Sequence, residues 1–305
     1  MNHLELYRDN PSNWDAWDVE ISYKQAPVPL GPAQRVAVVA DGPVEARVEV
    51  RRRVGNSALR QEIVLRAGGR RIDFHTWVDW RERHRLLKVA FPAELRAVTL
   101  RGEIQFGHVV RPAHRNTLFE RQRFEWPAQK WADVSEANFG IALLNDCKYG
   151  YDFLDGVLRL SLLRAPISPD PQADRGRHEF TYALLVHDGP FTDGRTVRAG
   201  YELNAPALVR PGAQAGLQGG LLELSAGPAV IVETVKRGET GRDTIVRLYE
   251  ALGTTADAAV RLAANVRSAH ECDLLETPLR ELNMRRDGTV AVRLRPFQTK
   301  TIRLR

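Results

Sequence analysis

The strongest constraint on the fold is an alternation of apolar and polar residues that recurs along most of the chain. In VEARVEVRRR, Val44, Ala46, Val48 and Val50 alternate with polar neighbours. In RRIDFHTWVDW, Ile72, Phe74, Thr76 and Val78 share one side, and Asp73, His75, Trp77 and Asp79 the other. A period of two puts successive side chains on opposite faces of an extended backbone, so these segments predict half-buried strands. GVLRLSLLR, HEFTYALLVH, PAVIVETVKR, DTIVRLYEAL, GTVAVRLR and FQTKTIRLR repeat the pattern. Breaks such as DGP at 41–43, AGG at 67–69 and RDG at 286–288 separate them and mark turns. With no long amphipathic helix between the strands, the pattern predicts an all-β fold of antiparallel sandwiches. TTADAAVRLAANV (254–266) reads either as one short helix or as a further strand.

One segment reads as a linker: NAPALVRPGAQAGLQGG, 204–220. A boundary near residue 222 then gives domains at 1–222 and 223–305, the second of ordinary small-domain size. The opening LYRDNPSNWDAWDVEISY predicts a strand exit, a turn at Asn10-Pro11 and an aromatic-rich strand. A first strand without a partner would be an open edge, which predicts that the chain starts inside a domain.

Composition excludes several classes. The longest apolar runs, such as GIALL and PAVIV, are too short to span a bilayer as helices, and MNHLELYRDN lacks the apolar core of a secretory signal. Cys147 and Cys272 are too few for a disulfide framework and predict reduced thiols in a cytoplasmic setting. The net charge is +6, but only six of the 44 basic residues are Lys, and the Arg residues are scattered through strand-like segments. Nucleic-acid binding requires a basic face interleaved with stacking aromatics, so no nucleic-acid partner is expected.

Chemistry is sparse. G-x-S-x-G, H-E-x-x-H, C-x-x-C and the phosphate-cradling G-x-x-x-x-G-K are absent, as is any histidine pair at metal-ligand spacing. In DAWD, Asp15 and Asp18 would face opposite sides of a strand, and for Trp14 and Trp17 a place in the core is favoured over a sugar-stacking platform. Pro127, between Trp126 and Trp131, predicts an edge or a bend. PDPQADRGRHEF (169–180) is a polar loop feeding a strand, where Asp174, Arg175 and His178 either bond sugar hydroxyls or close a loop salt bridge. In NDCKYGYD, Asn145 and Asp146 suit a turn and Gly150 frees the backbone. Tyr149 and Tyr151 would share a face, Lys148 lacks an activating apolar pocket, and Cys147 reads as small buried filler. This stretch is a polar strand-turn suited to binding, without a nucleophile–base pair.

Taken in order, WDAWDV, IDFHTWVDWRERHRLLKVAFP, FGHVVRPAHRNT, FEWPAQKWADVSE, FGIALLNDCKYGYD, LRLSLLRAPISPDPQADRGRHEFTYALLVH and ETVKRGE followed by IVRLYEALG closely resemble the C-terminal half of glycoside hydrolase family 38 α-mannosidases of the bacterial and cytosolic type. The resemblance runs from about residue 4 to the closing PFQTKTIRL. It implies a mutarotase-like antiparallel β-supersandwich followed by a smaller C-terminal β-sandwich, downstream of a catalytic (β/α) barrel and a helical segment. It also implies a retaining mechanism with an Asp nucleophile, an Asp acid/base and a zinc ion. Those groups belong to the family's barrel, for which this chain has no matching segment, so no catalytic residue, metal ligand or bound cofactor is expected here. In some relatives an Arg-Gly loop of the β-domain lines the sugar pocket, and Arg175-Gly176 occupies a similar place. The implied substrate-lining set is Arg175, Asp174, His178, Asn145, Asp146, Tyr149 and Tyr151. The implied partners are a mannose-containing oligosaccharide and a separate catalytic-domain polypeptide, with no membrane. A stand-alone carbohydrate-binding module and a purely structural or inter-subunit domain are the alternatives.

Overall fold

The computed structural model describes residues 2–209, 220–263 and 265–305. The described residues form two compact units, one within Met1–Glu103, Val109–Phe191 and Arg198–Pro206, the other within Ile104–His108, Thr192–Val197 and Ala207–Arg305. Of the linker expected at 204–220, residues 210–219 lie outside the described residues.

The first strands in chain order are β1 His3–Arg8, β2 Pro27–Val28, β3 Arg35–Asp41, β4 Glu45–Val54, β5 Ser57–Arg66, β6 Arg71–Trp80 and β7 Arg85–Pro92. They are followed by β8 Thr99–Ile104, β9 Gly107–Pro112, β10 Trp126–Pro127, β11 Trp131–Ser135, β12 Phe139–Asn145, β13 Gly150–Leu154, β14 Val157–Arg164 and β15 Gly176–Asp188. They make a six-stranded sheet, β10-β13-β14-β7-β1-β2, and a nine-stranded sheet, β3-β4-β5-β6-β15-β12-β11-β8-β9. All described pairings are antiparallel, so the all-β expectation holds. Far from lacking a partner, β1 pairs with β7 on one side and β2 on the other. Pro127 does lie in an edge strand, β10.

The core lies between the inward faces of the two sheets. Leu87, Val89, Phe91, Leu158 and Leu160 come from the smaller sheet, and Phe74, Val78, Leu143, Phe180 and Tyr182 from the larger. Phe74, Tyr182 and Phe91 form an aromatic group with centroids 5.0 Å and 5.7 Å from Phe74.

The larger sheet outruns the smaller one, and this corrects one expectation. The alternating face of β4 is a strand face, but Val44 and Ala46 are exposed, as are Val36 and Val38 beside them on β3. At this margin no second sheet lies opposite. Two helices were also missing from the strand pattern: α1, Leu118–Gln122, and α2, Arg195–Asn204. A capping box between Thr117 and Glu120 starts α1, and Gly200 in α2 is required by packing. A Cβ there would lie 2.8 Å from the Trp131 indole.

The remaining strands are β16 Leu222–Ala226, β17 Val230–Arg237, β18 Thr244–Glu250, β19 Ala256–Leu262, β20 Ala269–Cys272, β21 Pro278–Glu281, β22 Val290–Leu294 and β23 Thr299–Leu304. They form a three-stranded sheet, β16-β19-β22, and a five-stranded one, β17-β18-β23-β20-β21. Their shared core includes Val246, Val260, Val290 and Ile302. The ambiguous 254–266 stretch is a strand where β19 runs through it.

Leu87→Ala empties a site with no exposed surface and is expected to cost about 2–5 kcal/mol in urea unfolding. Val38→Ala, on the uncovered margin, should change stability by less than about 0.5 kcal/mol. Equal effects of the two would contradict this placement of the core.

Candidate functional site

Local geometry sorts the seven predicted site residues into buried structural groups and solvent-facing groups. Asn145 closes β12: its Nδ2 donates to the Gln129 carbonyl at 3.0 Å and to the Tyr151 hydroxyl at 2.5 Å, and its Oδ1 accepts from the Lys148 amide. The Tyr151 hydroxyl donates in turn to the Leu143 carbonyl, and its ring stacks on Trp126 at 5.4 Å. Both side chains are spent inside the sandwich. Tyr149 is 61% exposed, so the two tyrosines do not share an environment. The strand begins only at Gly150, and its period of two does not reach back to Tyr149. Asp146 is exposed, yet its Oδ2 accepts from the Thr181 amide at 2.8 Å and so extends the β12–β15 pairing. Cys147 is exposed rather than buried filler. Partial burial and then the Asp146 carboxylate push its thiol up to about 11, so it is not a ready thiolate at neutral pH.

The loop before β15 is a self-contained turn. Asp174 has a left-handed backbone, φ 57°, and its carbonyl lies 2.7 Å from His178 Nε2. Arg175 projects into solvent and donates to the Gln172 side chain at 2.7 Å. His178 lines a cavity of about 630 Å³ with Arg60, Trp77 and Glu179. Asn145, Asp146 and Tyr149 line a different cleft, of about 350 Å³, with Lys130 and Asn204. The fold thus does not bring the two predicted groups into one cavity.

Trp14 and Trp17 are a second correction. Each is 71% exposed, and DAWD is a turn rather than a strand: the amides of Trp17 and Asp18 both donate to the Trp14 carbonyl. Asp15 Oδ2 accepts from the Ile167 and Ser168 amides, while Arg164 bonds Asp9 and the Asp18 carbonyl. The turn is therefore pinned from beneath, and the indoles, edge-to-face at 6.5 Å, face water.

Sequence reasoning missed the most heavily charged buried cluster. Residues 9–26, the strap between β1 and β2, place Tyr23 and Lys24 over the outer face of the six-stranded sheet, where Lys88 has no exposed surface. Its ammonium lies 2.6 Å from Asp152, bonds Glu125, and lies 3.3 Å from the Tyr23 hydroxyl. Tyr23 donates to Glu125, Lys24 pairs with Asp152 at 3.1 Å, and Arg159 pairs with Glu5 at 2.8 Å. Burial by itself would lower the Lys88 pKa, but Glu125 and Asp152 outweigh it and hold the ammonium above the ordinary lysine range. Burial pushes Asp152 up, but Lys88 and Lys24 pull it below the usual carboxylate range. For Glu125 burial prevails over Lys88, and its carboxyl is held up. The available signal was LLKVAF, a lysine within a fully apolar run.

Two other arrangements do not amount to chemistry. Ser135 and His187 both bond Asp133, whereas nucleophile activation needs the histidine between the hydroxyl and the carboxylate. Among the described residues no three His, Cys, Asp or Glu side chains gather as a metal site.

The fold is a set of antiparallel β-sheets in two units, and comparison with known proteins supplies the family. The model for the glycosyl hydrolases family 38 C-terminal domain matches residues 1–172, and that for the family 38 C-terminal beta sandwich domain matches 229–302. Over 99% of its length the chain is 43% identical to alpha-mannosidase 2C1 of Homo sapiens. It is 36% identical to alpha-mannosidase G of Dictyostelium discoideum, again over 99% of its length. It spans about 30% of the length of these relatives. The fold resembles an alpha-mannosidase from Enterococcus faecalis V583 at TM-score 0.75 and 18% identity, covering 90% of this chain and 35% of that one. The chain belongs to glycosyl hydrolase family 38 and corresponds to that family's C-terminal domains.

Lys88→Met removes the buried ammonium that Glu125 and Asp152 share, leaving Asp152 with Lys24 alone of its two lysines, and is expected to cost about 3–5 kcal/mol in urea unfolding at neutral pH. Lys88 and Tyr23 both hold their protons more tightly when folded, Tyr23 chiefly through burial. Their contribution is complete below the unfolded values of 10.0 and 10.5 and is lost as pH rises through the higher folded values. Lys24, lowered by burial, works in the opposite sense, so wild type and Lys88→Met should be compared. Their stability difference should narrow as pH rises past 10.5. A constant difference would show that Lys88 is not held as a charged group.

Proposed function

We propose that this chain is the C-terminal β portion of an enzyme that removes terminal α-D-mannosyl residues from glycans by a zinc-dependent retaining mechanism. The nucleophile, acid/base and zinc ligands lie in a catalytic portion outside it, supplied by a partner polypeptide or a longer chain, and the isolated chain is inactive. The observation that carries this reading is the 43% identity to a named α-mannosidase across 99% of this chain but only 30% of that relative. The occupied state of the local carboxylates supports it: Asp152, Asp133 and Asp15 are each engaged by protein groups. Reduced Cys147 and Cys272 and a cytoplasmic setting belong to the same reading.

Within it, Arg175, Asp174 and Tyr149 are the predicted residues with side chains free to meet a glycan beside the catalytic portion, with His178 at the margin. Asn145 and Tyr151 act by holding the turn that carries Tyr149, and Asp146 by fixing its register.

The purified chain with zinc or cobalt should release no phenol from an aryl α-mannoside above the buffer rate. Chelator-sensitive turnover would overturn the placement of the chemistry elsewhere. In the enzyme assembled with its catalytic portion, Arg175→Ala should raise the barrier by about 1.5–3 kcal/mol with the melting temperature unchanged. Unaltered kcat/KM would remove Arg175 from the sugar pocket.

A further inference from the structure

The outer face of the six-stranded sheet carries a groove that the strap leaves open. Its volume is about 500 Å³, within the range of small-molecule sites. Trp17 and Tyr149 are its exposed aromatic residues, Trp126 and Leu162 contribute apolar surface, and Glu125 and Ser161 are polar groups in its lining. The backbone beneath both aromatics is anchored. The Trp17 turn is tied down through Asp15 and through Arg164 on the Asp18 carbonyl, and Tyr149 leaves a turn clamped by Asn145.

The polar end is specific. Glu125 spends one oxygen, Oε1, on Lys88 and Tyr23. Its other oxygen and the Ser161 hydroxyl have no hydrogen-bond partner among the described residues. Gly150 keeps the space beside them clear: a Cβ there would come 3.2 Å from Ser161 Oγ and 4.0 Å from Glu125 Oε2. A β-bulge follows at once, where the register of β14 against β7 shifts between Ser161 and Leu163. Bulges re-aim side chains and recur beside functional sites.

We propose that this groove is a binding subsite for a neutral pyranose, in which the apolar face of the ring packs on Trp17 or Tyr149 and adjacent hydroxyls bond Glu125 and Ser161. Aromatic surface next to a free acceptor and a free hydroxyl matches a sugar, which has apolar C–H faces and a rim of hydroxyls. An anionic sugar is disfavoured because the Glu125 carboxylate faces it, while the nearby Arg164 is committed to Asp9 and to backbone carbonyls. The choice of a mannoside as probe rests on the α-mannosidase reading; the groove geometry does not.

The full 305-residue chain is titrated with methyl α-D-mannoside and mannobiose, followed by tryptophan fluorescence and saturation-transfer NMR. Saturable millimolar binding is expected, and Trp17→Ala and Tyr149→Ala should each weaken it about tenfold. Both side chains are exposed, so these variants should keep the wild-type melting temperature. Phe119→Ala, which removes an exposed aromatic outside the groove, should bind like wild type, and glucuronate should bind more weakly than the neutral sugars. No saturable signal into the high-millimolar range, or binding that both groove variants leave unchanged, overturns the proposal. So does capture of an apolar peptide with no sugar response, which would make the groove a protein contact. Hydrolysis is not the readout, so failure here leaves the mannosidase reading standing, and failure of the hydrolysis assay leaves the subsite standing.

Discussion

Lys88 sits at the middle of β7 on the outer face of its sheet, a position that in an antiparallel sheet normally meets water. Here it meets none, and a dry ammonium is tolerable only among counter-charges and hydrogen-bond acceptors. Those come from far along the chain: Asp152 from β13, Glu125 from just before β10, and the Tyr23 hydroxyl from the strap. β13 lies two strands from β7 and β10 three, so one side chain reaches across β14 to tie the edge of the sheet to its centre. The strap and the edge strand are thus fixed by the same requirement, that this cation be neutralised.

Two kinds of cohesion follow in one sheet. The inward face is held by ordinary apolar packing, with Leu87, Val89 and Leu160 fully enclosed. The outward face is held by an ion network that works only while the strap excludes water from it. Truncating one partner leaves a stranded charge, whereas replacing the whole set with apolar residues of matching shape would avoid that penalty. The retained charges therefore point to what the network positions. It presents one oxygen of Glu125 toward solvent beside Ser161 while the other is locked inside.

The strand pattern was legible because a period of two is a local property, and the β14, β15, β17, β18, β22 and β23 segments fall where the alternation places them. The relative widths of the sheets were not legible. Alternation says that Val44, Ala46, Val48 and Val50 share a face, but it cannot say whether a second sheet lies above them. Trp14 and Trp17 show the same gap: their size favours burial on average, yet hydrogen bonds from Ile167 and Ser168 to Asp15, about 150 residues away in sequence, decide that the turn faces outward. In the 142–153 stretch, the turn chemistry of Asn145 was readable from sequence. That Tyr151 is core and Tyr149 surface depended on where β13 begins. Lys88 was the harder case, because its counter-charges become neighbours only once the sheet order is known.

Some of the arginines are organised by the same topology. On the outer side of the larger sheet Arg35, Arg51 and Arg60 surround Glu49, and Arg47 and Arg60 reach Glu62. Each such pair at the surface contributes little to stability. Their collective effect lies elsewhere, since β3 is an open edge whose apolar face is exposed and would invite another strand to pair with it. A row of long charged side chains along the adjoining strands makes that approach costly, because a docking strand would have to desolvate them. These arginines are distributed in ion pairs across strands beside the margin of a sandwich whose two sheets do not match in width.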